Sequence, residues 1–299
     1  MHKGVWYAAG AYMLWGLLPL YWKTLQHVPA LEILAHRMAW SLAVVVLLSA
    51  ARQQLQPIGD ALRNRRVVRL FLITALLLSI NWFLYIWAVN SGHIVETSLG
   101  YFINPLVNVL LGVVFLRERL RPWQGVAIAI ALGGVTYLTA NYGVLPWIAL
   151  TLAGTFGLYG LLRKTAPLES LPGLTLETLL LFPSALAYLL YLEWIGRAAF
   201  GHAGATTTLL LIGAGGATAL PLLLFAAGAR RITLVSLGIL QYIAPTTQFL
   251  IGVFVYDEPL TQARLIGFSL IWLALAIYTV DGALHASRTM RPRAVTGES

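Results

Sequence analysis

Apolar residues in this chain neither alternate with polar ones nor keep to one helical stripe. They continue for about 20 residues at a time and then give way to short polar connections. Ten such runs predict ten helical spans, at residues 4–22, 31–50, 69–90, 95–116, 122–140, 144–163, 173–194, 206–228, 232–256 and 262–281. Backbone inside lipid has to satisfy its own hydrogen bonds, and runs of this length do so as helices; barrel strands would show about ten residues of alternation. The longest connection, Ala51 to Val68, carries Arg52, Arg63, Arg65 and Arg66 and has room for a short surface helix.

The runs repeat. Ser98-Leu99-Gly100 in the fourth returns as Ser236-Leu237-Gly238 in the ninth. After two inserted residues, Ile103, Pro105, Leu110, Gly112, Val113, Glu118 and Leu120 match Ile243, Pro245, Leu250, Gly252, Val253, Glu258 and Leu260. Tyr12, Trp15 and Gly16 of the first run align in the same way with Phe156, Tyr159 and Gly160 of the sixth. The repeating unit therefore holds five spans. An odd unit begins its second copy on the opposite side of the membrane, so the copies should be related by a pseudo-twofold axis in the membrane plane, the plan of many secondary transporters. The expected fold is an all-α polytopic membrane protein with ten transmembrane helices as two inverted five-helix repeats, at residues 1–140 and 141–283. A disordered cytoplasmic tail at 284–299 follows.

Composition agrees: 59% of the 299 residues are hydrophobic and 10% charged, with mean hydropathy +0.78, against about 25% charged in a soluble domain. The net charge of +9 would by itself suit nucleic acid. With the N-terminus inside, however, 16 of the 20 Lys and Arg residues fall on the inner side, and Lys23, Arg37, Arg197 and Arg264 on the outer. That asymmetry explains the charge without nucleic acid and places both termini in the cytoplasm. The first run lacks a small-residue cleavage site and reads as a retained helix. The chain has 0 cysteines, which removes disulfides, thiolate metal sites and cysteine nucleophiles.

Polar residues inside the apolar runs carry the chemistry. In span four, Thr97, Tyr101, Asn104, Pro105 and Asn108 share one helix face, and span nine offers Gln241, Pro245 and Gln248 with Thr246 and Thr247. Each proline deprives the carbonyl four residues earlier, that of Tyr101 or Gln241, of its donor, so a kink and a bare acceptor are expected. The amides either face a substrate path or hydrogen-bond helices together. Span one sets Tyr12, Trp15, Pro19 and Trp22 on one face, and span three has Asn81, Trp82 and Tyr85 at its middle. Aromatic faces with a polar edge suit flat or amphipathic solutes, and they also suit core packing. Trp22, near a span end, is assigned to the interfacial belt.

The expected substrate site lies at mid-depth between the repeats, with Trp15, Asn81, Tyr85, Tyr101, Asn104 and Asn108 from one and Tyr159, Gln241 and Gln248 from the other. Asn104→Ala and Gln241→Ala should then lose binding at near-normal melting temperatures. Glu96, beside His93 and Asn90, is either a proton-coupling carboxylate or a partner of the helix dipole. Glu32, His36 and Arg37 form a second set, a gate or a mutually neutralising cluster, and Glu118 and Glu258 read as anchors of span ends. Gly213, Gly215 and Gly216, and Gly125, Gly133 and Gly134, are expected to allow close helix approach.

No phosphate-cradling glycine loop ending in Lys-Ser or Lys-Thr occurs, nor a His-Glu-x-x-His or Gly-x-Ser-x-Gly segment, so neither ATP nor a metal or other cofactor is expected. The alternative is an integral membrane enzyme acting on a lipid or polyprenyl substrate. Such a site commonly needs metal-binding carboxylates or a nucleophile with its base, and the 11 acidic residues lie mostly at span ends.

Several fragments together resemble a known family: Trp15-Gly16-Leu17-Leu18-Pro19-Leu20-Tyr21-Trp22-Lys23, Glu32 with His36-Arg37, Asn81-Trp82 with Tyr85 and Trp87 to Asn90, Glu96 with Ser98 to Leu106, Glu118-Arg119-Leu120, and Gln241 to Thr246. They are similar to the drug/metabolite transporter superfamily, the ten-helix group built from two EamA repeats, and within it to the RarD (chloramphenicol-sensitive protein) subfamily. The resemblance runs from about residue 3 to 283. It implies a permease of the bacterial cell inner membrane, not an enzyme, for small organic solutes such as metabolites, amino-acid-like compounds or drugs. The partners it implies are the small-molecule substrate and the lipid bilayer, with a homodimer left open.

Overall fold

A computed structural model describes residues 2–90, 94–140, 146–256 and 262–289, and among these every regular element is an α-helix. The order is α1 (His2–Thr24), α2 (Ala30–Ala51), α3 (Leu55–Arg63), α4 (Arg65–Asn90), α5 (Ile94–Phe115), α6 (Pro122–Ala140), α7 (Trp147–Thr165), α8 (Ser170–Trp194), α9 (Ala205–Ala229), α10 (Leu234–Gln241), α11 (Ile243–Val255) and α12 (Gln262–Thr289). Each apolar run has a helix among its described residues, the ninth divided between α10 and α11. The arginine-rich connection holds α3, which buries Ile58 and Ala61. The last helix continues past the expected span end to Thr289. Proline acts unequally in the two related helices: α5 runs through Pro105 unbroken, whereas α10 and α11 part at Tyr242, three residues before Pro245.

Burial is arranged for lipid. Leu209, Phe254 and Leu47 are about 70% exposed (68%, 77% and 69%), while Asn108, Thr74 and Glu177 are fully buried. Apolar side chains outside and polar ones inside suit a hydrocarbon solvent. Among the described residues seven segments, including Ala30–Ala51, Ala205–Ala229 and Leu234–Val255, are long and apolar enough to cross a membrane. The chain is a multi-pass membrane protein.

The helices form two compact units, one of Met1–Glu118 with Leu145–Pro259, the other of Arg119–Val144 with Leu260–Ser299. In the second, α6 and α12 run antiparallel. Arg121 pairs with Asp281 at 2.7 Å, and a Cβ on Gly134 would lie 3.1 Å from Leu270. In the first unit α2 lies antiparallel to α8, where Ser49 and Thr175 hydroxyls meet at 3.0 Å and Ala35 and Met38 pack with Leu181 and Ala185. Helices α5 and α10 are antiparallel as well, and Gly238 approaches so closely that a Cβ there would sit 2.5 Å from the Pro105 carbonyl. Of the glycines expected at helix contacts, Gly134, Gly213 and Gly215 serve one. A Cβ on Gly125, Gly133 or Gly216 would meet nothing within 4 Å.

Glu118 anchors more than its own span end. The chain turns back after α5, and the carboxylate accepts from the backbone N–H groups of Leu234 at 2.7 Å and Val235 at 2.9 Å, capping α10 from another helix. Gly112 makes room, since a Cβ there would lie 2.7 Å from Glu118 Oε2. Two charge-assisted bonds at a helix N-terminus are lost in Glu118→Ala, which should cost about 1–2 kcal/mol. Thermal unfolding in detergent measures this loss.

Candidate functional site

A cavity of about 340 Å³ lies inside the first unit, lined by segments from both halves of the chain. The α1 face predicted from spacing supplies Tyr12, Trp15, Pro19 and Trp22; α2 supplies Arg37; α4 supplies Asn81, Trp82 and Tyr85; and α5 supplies Tyr101 and Asn104. From the second half come Phe156 on α7, Leu222 on α9, Gln241 on α10 and Gln248 on α11. Its volume falls within the roughly 300–1,000 Å³ of small-molecule sites, and its mixture of aromatic walls with a few amides is their usual chemistry.

An aromatic cluster makes the floor. The Trp15 ring lies 5.6 Å from both Phe156 and Phe225, and Tyr159 stacks on Phe225 at 5.9 Å and 15°. Tyr12, Tyr159 and Phe225 are fully buried there. Beyond the floor, where α1, α4 and α8 begin and α5, α7 and α9 end, polar ties close the bundle. Arg230 donates to the carbonyls of Ala166 at 2.6 Å and Leu168 at 2.9 Å, and Lys164 to those of Ala229 and Ile232. The cavity lies toward the opposite end, with Trp22 near the end of α1 and Ala30 at the start of α2 in its lining.

The expected site residues divide. Trp15, Asn81, Tyr85, Tyr101, Asn104, Gln241 and Gln248 come together around the cavity, whereas Asn108 and Tyr159 stand behind its wall. Asn108 is fully buried and donates to Gln241 Oε1 at 2.7 Å, joining α5 to α10, with a weaker contact to Asn104 at 3.5 Å. The Tyr159 hydroxyl donates to Glu177 at 3.3 Å. Asn81 reaches α7 with its amide nitrogen, 2.8 Å from the Leu152 carbonyl and 2.9 Å from Thr155, and Gln248 donates to the Trp15 carbonyl at 3.3 Å. Tyr85 and Tyr101 rings meet edge to face at 6.0 Å.

In the second expected set Glu32 and His36 stay together, with His36 Nε2 3.9 Å from Glu32 Oε1, while Arg37 stands apart. Glu32 is buried and accepts from the N–H groups of Ala199 at 2.6 Å and Phe200 at 3.3 Å, fastening α2 to the α8–α9 connection, and His36 stacks on Phe200. Arg37 turns the other way. Its guanidinium lies 4.7 Å from the ring centroids of both Trp22 and Trp82, and Nε donates to Thr218 at 2.9 Å. Trp22, expected in the interfacial belt, lines the cavity as well. The Glu96 side chain, with His93 and Glu258, lies outside the described residues.

The sequence reading missed one buried pair. Arg163, counted there only as an inner-side charge, is fully buried with its Nε 3.7 Å from Glu177 Oε1.

Known proteins match this chain along most of its length. Residues 2–140 match the EamA-like transporter family. A Bacillus subtilis protein named uncharacterized transporter YojE is 51% identical over 281 residues, covering 93% of each chain. Protein RarD of Streptomyces exfoliatus is 47% identical over 290 residues, 97% of this chain and 92% of its own. One solved crystal structure shares the fold, with a TM-score of 0.70 at 19% identity over 93% of this chain and 98% of that one. The Bacillus relative carries a transporter name, and with these matches the chain belongs to the EamA-like transporter family, as a RarD-type protein of the drug/metabolite transporter superfamily.

Proposed function

We propose that the protein is a secondary transporter for small organic solutes, working by alternating access, with the aromatic and amide-lined cavity as its substrate site. The observation that carries this reading is the cavity's double parentage, with walls drawn from both halves of the chain around a shared aromatic floor. Two inverted five-span repeats fit the packing. Exchanging α1 with α7, α2 with α8, α4 with α9, α5 with α10–α11 and α6 with α12 maps the antiparallel α4–α7 contact onto α9–α1, and the parallel α5–α7 contact onto α11–α1. The pairs that map onto themselves, α2–α8, α5–α10 and α6–α12, are all antiparallel, which an axis lying in the membrane plane demands.

Alternating access gives the asymmetry a meaning. Trp15 and Tyr159 occupy matched places in the two repeats, yet Trp15 faces the cavity and Tyr159 is sealed in the floor. Exchange of those environments would carry the site from one side to the other. With both termini in the cytoplasm, as the charge asymmetry implies, the tied end is cytoplasmic and this conformation faces outward from the bacterial inner membrane. Reporters fused after Ala51, Lys164 and the C-terminus should all read cytoplasmic; a periplasmic signal at any of them breaks the inverted arrangement.

Metabolite profiling of cells and medium with and without the protein, followed by uptake in proteoliposomes, tests the function itself. In that assay the geometry separates two amides that the sequence treats alike. Asn104 lines the cavity and, among the described residues, its side chain has a single weak 3.5 Å contact, so Asn104→Ala should cut flux about tenfold with little change in melting. Gln241→Ala should lose flux and stability together, because it also breaks the 2.7 Å bond that joins α5 to α10, an interaction averaging about 0.6 kcal/mol in bundles. Normal flux in both variants would move the substrate site elsewhere.

A further inference from the structure

We propose that Arg37 is an anion subsite of this cavity and that the substrate is a small organic carboxylate with a flat apolar body; the proposal rests on the cavity being the substrate site. Among the described residues lining the cavity, Arg37 is the one formal charge, and no carboxylate lines it. The acid five residues earlier on the same helix, Glu32, is engaged with the backbone of Ala199 and Phe200.

The guanidinium is held but not neutralised. Trp22 and Trp82 rings, each 4.7 Å away, and the Thr218 hydroxyl at 2.9 Å from Nε, fix its position. Among the described residues nothing accepts from Nη1 or Nη2, although five guanidinium N–H groups normally seek acceptors. A fixed guanidinium with its terminal edge unbonded matches a carboxylate bidentately, and a charge in an apolar enclosure gains most from a counter-ion that arrives with the ligand. The two indoles and the Tyr85–Tyr101 pair then offer faces to a flat body attached to that carboxylate. A cationic solute would meet Arg37 as a like charge.

Binding to purified protein in detergent tests this with matched pairs: phenylacetate, indole-3-acetate and hexanoate against their own amides, and oleate as a membrane-borne acid. At least one short acid should bind wild type about tenfold more tightly than its amide. Arg37→Gln should abolish that preference, and Arg37→Lys, which keeps the charge without the fork, should keep part of it. Melting curves of the variants confirm that they are folded. The proposal is overturned if no acid outbinds its amide, if the preference survives Arg37→Gln, or if only oleate binds. Ala244→Trp, which fills the cavity, separates the two ideas. Equal binding of acids and amides, lost in Ala244→Trp, removes the anion subsite alone, whereas binding that survives Ala244→Trp removes the cavity reading with it.

Discussion

Glu177→Ala is expected to destabilise the protein by about 3–5 kcal/mol, which lowers its melting temperature in detergent on the order of 10 °C. The reason is the company Arg163 would lose. Both side chains are fully buried, and their closest approach is 3.7 Å, so attraction rather than a hydrogen bond holds the pair. Arg163 has one protein bond of its own, from Nη2 to the Ser170 carbonyl at 3.1 Å, and stacks over Phe71 at 5.3 Å. It fills the space above Gly173, where a Cβ would come within 2.1 Å of Nη1. Removing Glu177 leaves that guanidinium charged, dry and without a counter-ion. Arg163→Met combined with Glu177→Leu removes both charges and should melt near wild type, since a buried pair with imperfect geometry is matched by apolar side chains of similar size. Glu177→Ala melting within about 2 °C of wild type would show that the pair holds nothing together.

The spanning helices were legible because each comes from an apolar run of span length, and run length survives whatever the tertiary structure does. Faces were legible too: the spacing of Tyr12, Trp15, Pro19 and Trp22 put them on one side of α1, and all four line the cavity. Depth along a face was not. Asn104 and Asn108 share a stripe, yet one reaches the cavity and the other bonds Gln241 behind it, because periodicity fixes an angle around the helix and says nothing of where a neighbour crosses. The place of Trp22 near a span end gave no sign of its cavity contact. Its ring belongs to the cavity because Arg37, on another helix, stacks there. The partnership of Arg163 with Glu177 was invisible for a similar reason. Arg163 ends an apolar run, as topogenic arginines do, and only the turn between α7 and α8 brings the acid against it. Glycines behave likewise: Gly133 and Gly134 are adjacent in sequence, and only Gly134 meets another helix.

The second large effect concerns flux. The natural chain has 0 cysteines, so Leu18→Cys introduces a unique thiol on the cavity wall contributed by α1. Reaction with a bulky aromatic maleimide fills a space of about 340 Å³ from which the substrate must be handed across the membrane. Flux of the profiled substrate into proteoliposomes, taken before and after labelling of the same preparation, then reports on the space beside Leu18, which also borders a separate groove with Leu17 and Tyr21. Leu209→Cys, on the exposed face of α9, controls for labelling as such, because that side chain is 68% exposed and is not part of the cavity lining.

Flux by labelled Leu18→Cys, compared with the same protein unlabelled, is the most direct test of the claim that this cavity is the substrate site. Labelling should reduce transport to background, substrate should slow the labelling reaction, and labelled Leu209→Cys should transport at its unlabelled rate. Undiminished transport by fully labelled Leu18→Cys would contradict the account.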